Sequence, residues 1–248
     1  MGDLGVARGG VPPYAAARRR IEYEDVDLPI DLGTWRSLGA APNTFAIESA
    51  IDELARLRNL DPVEFRLENL APQHERLAVC LRKTRQLAER SALPAETGVG
   101  RGYACGVYEE DSFIAASADV RVDPATGAVR VLRMCCAQDV GLAVNPDQLE
   151  AQIEGNLIWG LGMALTEQVE IAPGDIASRN FDRYRIPRIQ DAPEFEIEII
   201  SPRSIPPAGA GETGMIVGAP AIANAVRDAT GTRYTSLPIR PVEGLSSS

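Results

Sequence analysis

Between residues 102 and 140 the hydrophobic pattern takes a period of two, and this constrains the fold more than any other feature of the chain. "GYACGVY", "SFIAASADVRVD" and "AVRVLRMCCAQDV" follow one another with almost nothing between them, and "DPATG" between Val122 and Val129 is a hairpin turn signal. A period of two sends successive side chains to opposite faces of a sheet. Three such runs in sequence require a β core that other elements must cover.

The flanking segments supply those elements. Ile47, Ile51 and Leu54 recur at helical spacing, with Asn43 or Thr44 as the expected N-cap. "DPVEFRLENL" offers Asp61 as cap, Pro62 at the first helical position and Glu64 three residues after the cap. "HERLAVCLRKTRQLAERSA" places Leu77, Leu81 and Leu87 or Ala88 on one helical face. Before these helices, "RIEYEDVDLPI" alternates Ile21, Tyr23 and Val26 with charged residues, the pattern of a half-buried strand. After the β core, the loop "GLAVNPDQ" leads into a long helix, "PDQLEAQIEGNLIWGLGMALTEQ". Its glycines Gly155, Gly160 and Gly162 each weaken it by about 1 kcal/mol relative to alanine, which points to close packing. "EQVEIA", "FDRYRI" and "EFEIEII" read as further strands, and "APAIANAVRDATG" as a helix ending at Gly231. The expected class is α+β, with mixed sheets and packed helices. Residues 1–95 form an N-terminal strand, loop and helical segment, residues 96–248 an α+β domain, and the boundary falls near residues 91–100.

Composition narrows the function classes. A net charge of −10 and a pI near 4.8 argue against nucleic acid or an anionic membrane surface as partner. The longest uncharged stretches, 155–166 and 213–226, fall short of the roughly 20 residues of a membrane span. The N-terminal stretch has basic residues but no apolar core of a secretory signal. Cys80, Cys105, Cys135 and Cys136 lack CxxC spacing and read as buried thiols, while the single His74, at a helix start, reads as a surface or capping residue. No metal-ligand set is expected.

One carboxylate stands apart. In "PPAGAGETGMIVGAP", residues 206–220, Glu212 is the only charge among glycine, alanine and proline. An unpaired carboxylate in an apolar setting has its pKa raised and can exchange protons near neutral pH. The alternative is a solvated turn in which Glu212 caps the following helix.

Six stretches, in order, resemble the molybdopterin-binding large subunit of the xanthine dehydrogenase and aldehyde oxidase family, nearest to the isoquinoline 1-oxidoreductase β-subunit type. They are "WRSLGAAPNTFAIESAIDELA", "DPVEFRLENL", "GRGYACG", "VRVDPATGAVRVLRMCCAQDVGLAVNPDQLEAQIEGNLIWGLGMAL", "FDRYRIPRIQDAPEFEIEII" and "GAGETGMIVGAPAIANAVRDATGTR". The resemblance implies that residues 96–248 are a portion of the second molybdenum-cofactor-binding domain. It also implies that the chain is a C-terminal portion, from a split gene, a fragment or a truncated frame, inactive without its N-terminal half. That half would carry a glutamine-containing Gly-rich loop of the "MGQG" kind.

The implied activity is oxidative hydroxylation of an N-heterocycle or an aldehyde with water-derived oxygen. Glu212 matches the active-site glutamate beside molybdenum, where a base must take a proton. Arg36 matches the arginine of an "RGFG"-like segment near the substrate pocket, where a guanidinium can stabilise developing negative charge. Ser37 and Leu38 stand where many members have Gly and Phe, so packing over an aromatic substrate is expected to differ. Gln152 matches the "GQIEG" glutamine close to the pterin, and Gly155, Gly211, Gly214 and Gly218 would let the backbone approach the cofactor. A surface ion pair for Arg36 and helix packing for the glycines are the structural alternatives.

The implied cofactor is molybdenum–molybdopterin, in its cytosine dinucleotide form. The implied partners are the missing N-terminal half and a small subunit carrying 2Fe–2S clusters, since four scattered cysteines form no cluster motif. The compartment expected from this chain is the cytoplasm rather than the periplasm. A truncated remnant or interaction module that keeps the fold without cofactor is the chief alternative, and a binding protein for an anionic ligand at the Gly-rich loop is a third.

Overall fold

The computed structural model describes residues 4–24, 26, 30, 31 and 33–240. The three period-two runs form strands β1 (Val99–Tyr108), β2 (Ser112–Val122) and β3 (Val129–Asp139), each antiparallel to the next. At the β2–β3 turn Asp123 Oδ1 accepts from the N–H groups of Ala125 and Thr126, the local bond that lets aspartate close a turn. Two further strands, β4 (Ile171–Ala172) and β5 (Asp175–Ile176), make a small separate hairpin. Strand β6 (Glu194–Ile200) then pairs in parallel with β3, giving a mixed sheet in the order β1-β2-β3-β6.

Alternation along these strands divides the core in two. Ile114, Ala116, Ala118, Met134 and Cys136 belong to one apolar cluster, whereas Phe113, Ala115, Cys135 and Ala137 belong to the other. The adjacent Cys135 and Cys136 therefore lie on opposite sides of the sheet, and all four cysteines are buried and free.

Helices cover both faces. A short N-terminal turn, α1 (Leu4–Ala7), precedes α2 (Ala40–Leu57), α3 (Pro62–Asn69) and α4 (Glu75–Glu89). Asp61 caps α3 by accepting from Val63 N and Glu64 N. Leu77, Leu81, Leu87 and Ala88 of α4 are buried in the second cluster, as their spacing predicts. Helix α4 packs on β2 and β3, so the helical segment before residue 96 and the sheet after it share one core.

The first cluster is covered by α5 (Pro146–Leu165) and α6 (Met215–Thr230), the second of which lies directly on β1 and β2. A Cβ on Gly102 would stand 2.1 Å from Ala225 N, so only glycine lets α6 come this close to β1. Gly160 of α5 and Gly218 of α6 meet in the same way: a Cβ on either would lie 2.8 or 2.9 Å from the other's Cα. Close packing is thus realised at Gly160, and at Gly162 against Glu167, but Gly155 faces only Arg36 Nη1 at 3.9 Å.

A buried ion pair joins α2, α3 and β1. Arg66 Nε donates to Glu48 Oε2 at 2.8 Å, and the same oxygen accepts from Cys105 N. Tyr14 Oη donates to Glu48 Oε1 at 2.6 Å, and both members of the ion pair are fully buried. Such a pair holds only when its remaining donors and acceptors are satisfied, as they are here by backbone and tyrosine.

Several sequence expectations are corrected. Residues 20–24, 26 and 30 of "RIEYEDVDLPI" form no strand and most are exposed; the remainder of that stretch lies outside the described residues. Alternation of apolar and charged residues makes a strand only where a sheet edge is there to receive it, and β1 and β6 are the edges here. "FDRYRI" forms turns, and of "EQVEIA" only Ile171–Ala172 is strand. Helix α2 begins at Ala40, without a side-chain cap, because Asn43 is used elsewhere: its Nδ2 donates to the carbonyls of Val6 and Arg8. Helix α6 begins at Met215, four residues before the predicted start, and ends as predicted at Gly231, whose φ is 75°.

Candidate active site

Three segments far apart in sequence meet where β1 ends and α6 begins. The loop before α2 brings Arg36 and Ser37, the first turns of α5 bring Gln152 and Gly155, and the loop after β6 brings Gly211 and Glu212. Helix α5 is positioned by Asn145, whose Oδ1 accepts from Gln148 N, with Pro146 at the first helical position.

Arg36 ties the three together. Its Nε donates to Gly211 O at 2.7 Å, its Nη2 also donates to Gly211 O, and Nη2 donates to Gln152 Oε1 at 2.5 Å. Its guanidinium carbon lies 5.4 Å from the ring centre of Trp159, which stacks on Trp35 at 5.8 Å. Burial lowers the Arg36 pKa and the nearby Glu212 opposes that shift.

Glu212 is neither unpaired nor a helix cap. Its Oε1 accepts from Ser37 N at 3.0 Å, and its Oε2 accepts from the Tyr108 hydroxyl. The Ser37 hydroxyl donates to Glu212 O at 2.6 Å. The N-cap residue of α6 is Gly214, with no side-chain cap bond. The raised pKa expected from an apolar setting is therefore corrected. Burial does push the carboxyl up, but the Tyr108 and Ser37 hydrogen bonds, with the charges of Arg8 and Arg36, hold it below the ordinary carboxylate value.

The glycines divide into two kinds. A Cβ on Gly211 would meet nothing within 4 Å, and Gly155 is nearly as open, so a ligand can reach backbone at both. Gly214 packs instead on Asn156, whose Cβ would lie 2.6 Å from an added Cβ, and Gly218 packs on Gly160. The interhelical contact accounts for glycine at 218.

Sequence reading misses Tyr108 and Arg8, and it marks Ser37 only as a departure from the family's glycine. Arg8 Nη1 donates to Tyr108 Oη at 2.8 Å, so the phenol links a cation to the Glu212 carboxylate. Burial, reinforced by Glu212, pushes the Tyr108 hydroxyl up to about 12. The available signal was Tyr108 at the end of a predicted strand, directly before the charged turn "EED".

The family model for a molybdopterin cofactor-binding domain matches residues 20–193. The chain belongs to the molybdopterin-binding hydroxylase family. It is 36% identical to a nicotinate dehydrogenase subunit of Pseudomonas putida over 96% of its own length and 21% of that protein's. It is 33% identical to the isoquinoline 1-oxidoreductase β-subunit of Brevundimonas diminuta over 96% of its own length and 30% of that protein's. This hydroxylase-family chain thus spans less than a third of the length of these relatives. Its fold matches the aldehyde oxidoreductase of Desulfovibrio desulfuricans with a TM-score of 0.72 at 18% identity, covering 82% of this chain and 40% of that one. Quinoline 2-oxidoreductase of Pseudomonas putida gives a TM-score of 0.70 at 14% identity, covering 84% of this chain and 52% of that one.

The residues present suit an organic cofactor more than a bare metal ion. Among the described residues no group of three His, Cys, Asp or Glu side chains could hold a metal. An exposed amide at Gln152, the Arg36 guanidinium and open backbone at Gly211 and Gly155 form a polar cradle of the kind a pterin edge needs. Asn156, one turn along α5 from Gln152, keeps a buried Oδ1 without a partner beside Gly214. No described helix is long and apolar enough to cross a membrane.

Proposed function

We propose that this chain supplies one side of a molybdenum hydroxylase active site, with Glu212 as the base and Arg36 and Gln152 as the groups that orient cofactor and substrate. The observation that carries this reading is the Arg36 fork, which binds Gln152 and Gly211 at once and so sets the carboxylate of the next residue, Glu212, beside an open polar cradle. A bound molybdenum–molybdopterin group would supply the redox chemistry, accepting two electrons as water-derived oxygen is added to the substrate.

Glu212 accepts the proton at a carboxylate oxygen. Its lowered pKa keeps it ionised throughout the neutral range, hence in the state that can take a proton. Covering the site with the preceding half of the large subunit removes water from the carboxylate and strengthens it as a base. Arg36 places positive charge beside it, where negative charge developing on a substrate is stabilised. With its Oε1 engaged by Arg36, Gln152 has its NH2 available to donate to a pterin edge. The open backbone at Gly155 and Gly211 sets how closely the cofactor approaches. Gly214 and Gly218 support the loop and the helix behind it.

The substrate class is an N-heterocycle or an aldehyde, the cofactor form the cytosine dinucleotide, and electrons leave through an iron–sulfur small subunit. The substrate class draws on the nicotinate, isoquinoline and aldehyde enzymes among the relatives, whereas the cofactor form and the small subunit rest on the sequence resemblance alone. Metal content is the test. The chain purified alone should carry little molybdenum and should gain it on co-expression with the preceding half. Stoichiometric molybdenum in the isolated chain contradicts a shared cofactor, and none in the assembled pair favours a remnant that keeps the fold without it.

A further inference from the structure

The hairpin between β1 and β2 grips the Glu212 loop with two neighbouring hydrogen bonds. Tyr108 and Ser112 are partners in the strand register. The Tyr108 hydroxyl donates to Glu212 Oε2, and the Ser112 hydroxyl bonds the Thr213 hydroxyl at 2.7 Å. One cross-strand pair therefore holds two consecutive residues of the loop.

The Tyr108 ring is only 6% exposed and packs in the first apolar cluster, which fixes where its hydroxyl can lie. A phenol has one proton to donate. Here Arg8 Nη1 occupies the acceptor side at 2.8 Å, and the proton is directed at Glu212. Arg8 is itself held by Glu109, the residue after Tyr108, at 2.6 Å. Polarity along the path Arg8, Tyr108, Glu212 runs one way, from cation through phenol to carboxylate. A tyrosine serving only the core needs no such alignment.

We propose that Tyr108, aligned by Arg8, is a positioning residue for Glu212: it pins one carboxylate oxygen while Ser37 N pins the other, and so sets the carboxylate's orientation and basicity. This rests on the reading of Glu212 as the base. The charged and titratable groups that face Glu212 are Tyr108 from β1, Arg8 from the N-terminal segment and Arg36 from the loop before α2. All three favour the ionised carboxylate, and Tyr108 acts by the most direct contact. Removing a hydrogen bond that favours the charged form raises the pKa.

The test is a nuclear magnetic resonance titration of the Glu212 carboxyl carbon in the full chain, assigned by its loss in Glu212→Gln. The wild-type midpoint should lie below 4.5, the ordinary glutamate value. Tyr108→Phe, which keeps the packed ring, should shift the midpoint up. Arg8→Gln, at a half-exposed position the core does not need, should shift it in the same direction by less. Unchanged midpoints in both variants overturn the proposal. In the enzyme assembled with the preceding half, Tyr108→Phe should lower kcat with KM held and move the acid limb of the pH–rate profile upward. An upward midpoint in the chain with an unmoved acid limb leaves the positioning role standing and overturns Glu212 as the base.

Discussion

Ser37 and Glu212 are joined twice, once from the Ser37 N–H to a carboxylate oxygen at 3.0 Å and once from the Ser37 hydroxyl to the Glu212 carbonyl at 2.6 Å. Ser37 makes both bonds with a φ of 72°, in the left-handed region that glycine occupies without strain, and its side chain is fully buried. Serine at this position thus exchanges backbone strain for a second bond to the loop.

Two substitutions separate these contributions. Ser37→Ala keeps the strained backbone and loses the hydroxyl bond, leaving the half-buried Glu212 carbonyl with the Met215 N–H, and should cost about 0.5–1.5 kcal/mol. Ser37→Gly loses the same bond but relieves about 1 kcal/mol of left-handed strain. Denaturant unfolding should rank the variants wild type, Gly, Ala in falling stability. An alanine variant more stable than the glycine one contradicts the strain assignment.

The glycines of α5 should respond in opposite senses. Gly160→Ala puts a Cβ 2.8 Å from Gly218 Cα, forces the α5–α6 contact apart and should destabilise by about 1–3 kcal/mol. Gly155→Ala meets only Arg36 at 3.9 Å and should stabilise the isolated chain by up to about 1 kcal/mol through helix propensity. In the assembled enzyme, Gly155→Ala should lower molybdenum content if the cofactor approaches there. Thermal unfolding of the chain and metal analysis of the assembly check the two halves of this prediction.

Stability should depend on Glu212 through pH with a definite sign. Its folded pKa lies below its ordinary value of 4.5, so the unfolded chain binds the proton more readily. The ionised carboxylate then contributes stability that is complete above the unfolded value and lost as pH falls through the folded one. Glu212→Gln lacks this contribution. The difference in urea midpoint between wild type and Glu212→Gln should be largest at neutral pH and should shrink as pH falls below 4.5. A difference that grows on acidification contradicts the lowered pKa.

The sequence made the sheet legible because β1 to β3 are consecutive, and local alternation is enough when strands follow one another through turns such as Asp123–Gly127. It failed at "RIEYEDVDLPI" and "FDRYRI", where alternation is present but the described residues pair with neither edge strand, β1 nor β6. Among the candidate site residues, Glu212, Arg36 and Gln152 are proposed from their motifs, and the structure brings these three together. The state of Glu212 was not legible. Its neighbours in sequence are apolar, whereas its neighbours in space are Tyr108, Ser37 and Arg8, delivered by β1, the loop before α2 and the N-terminal segment. A pKa read from adjacent residues took the wrong sign for that reason. Gly218 illustrates the same limit, since the residue that demands glycine there is Gly160, 58 positions earlier on another helix.

Whether Glu212 takes the proton is read out by single-turnover reduction of the enzyme by substrate. Glu212→Gln keeps the size of the side chain and an oxygen for Ser37 or Tyr108 to bond, but it cannot take a proton. In enzyme assembled with the preceding half, with molybdenum content measured in the same preparation, the variant should retain its metal and be reduced anaerobically by substrate at least about a hundredfold more slowly, the low end of general-base contributions. Near-normal reduction by a fully metallated Glu212→Gln enzyme would contradict the assignment and leave Glu212 as a structural link between the β1–β2 hairpin and the loop that carries Arg36.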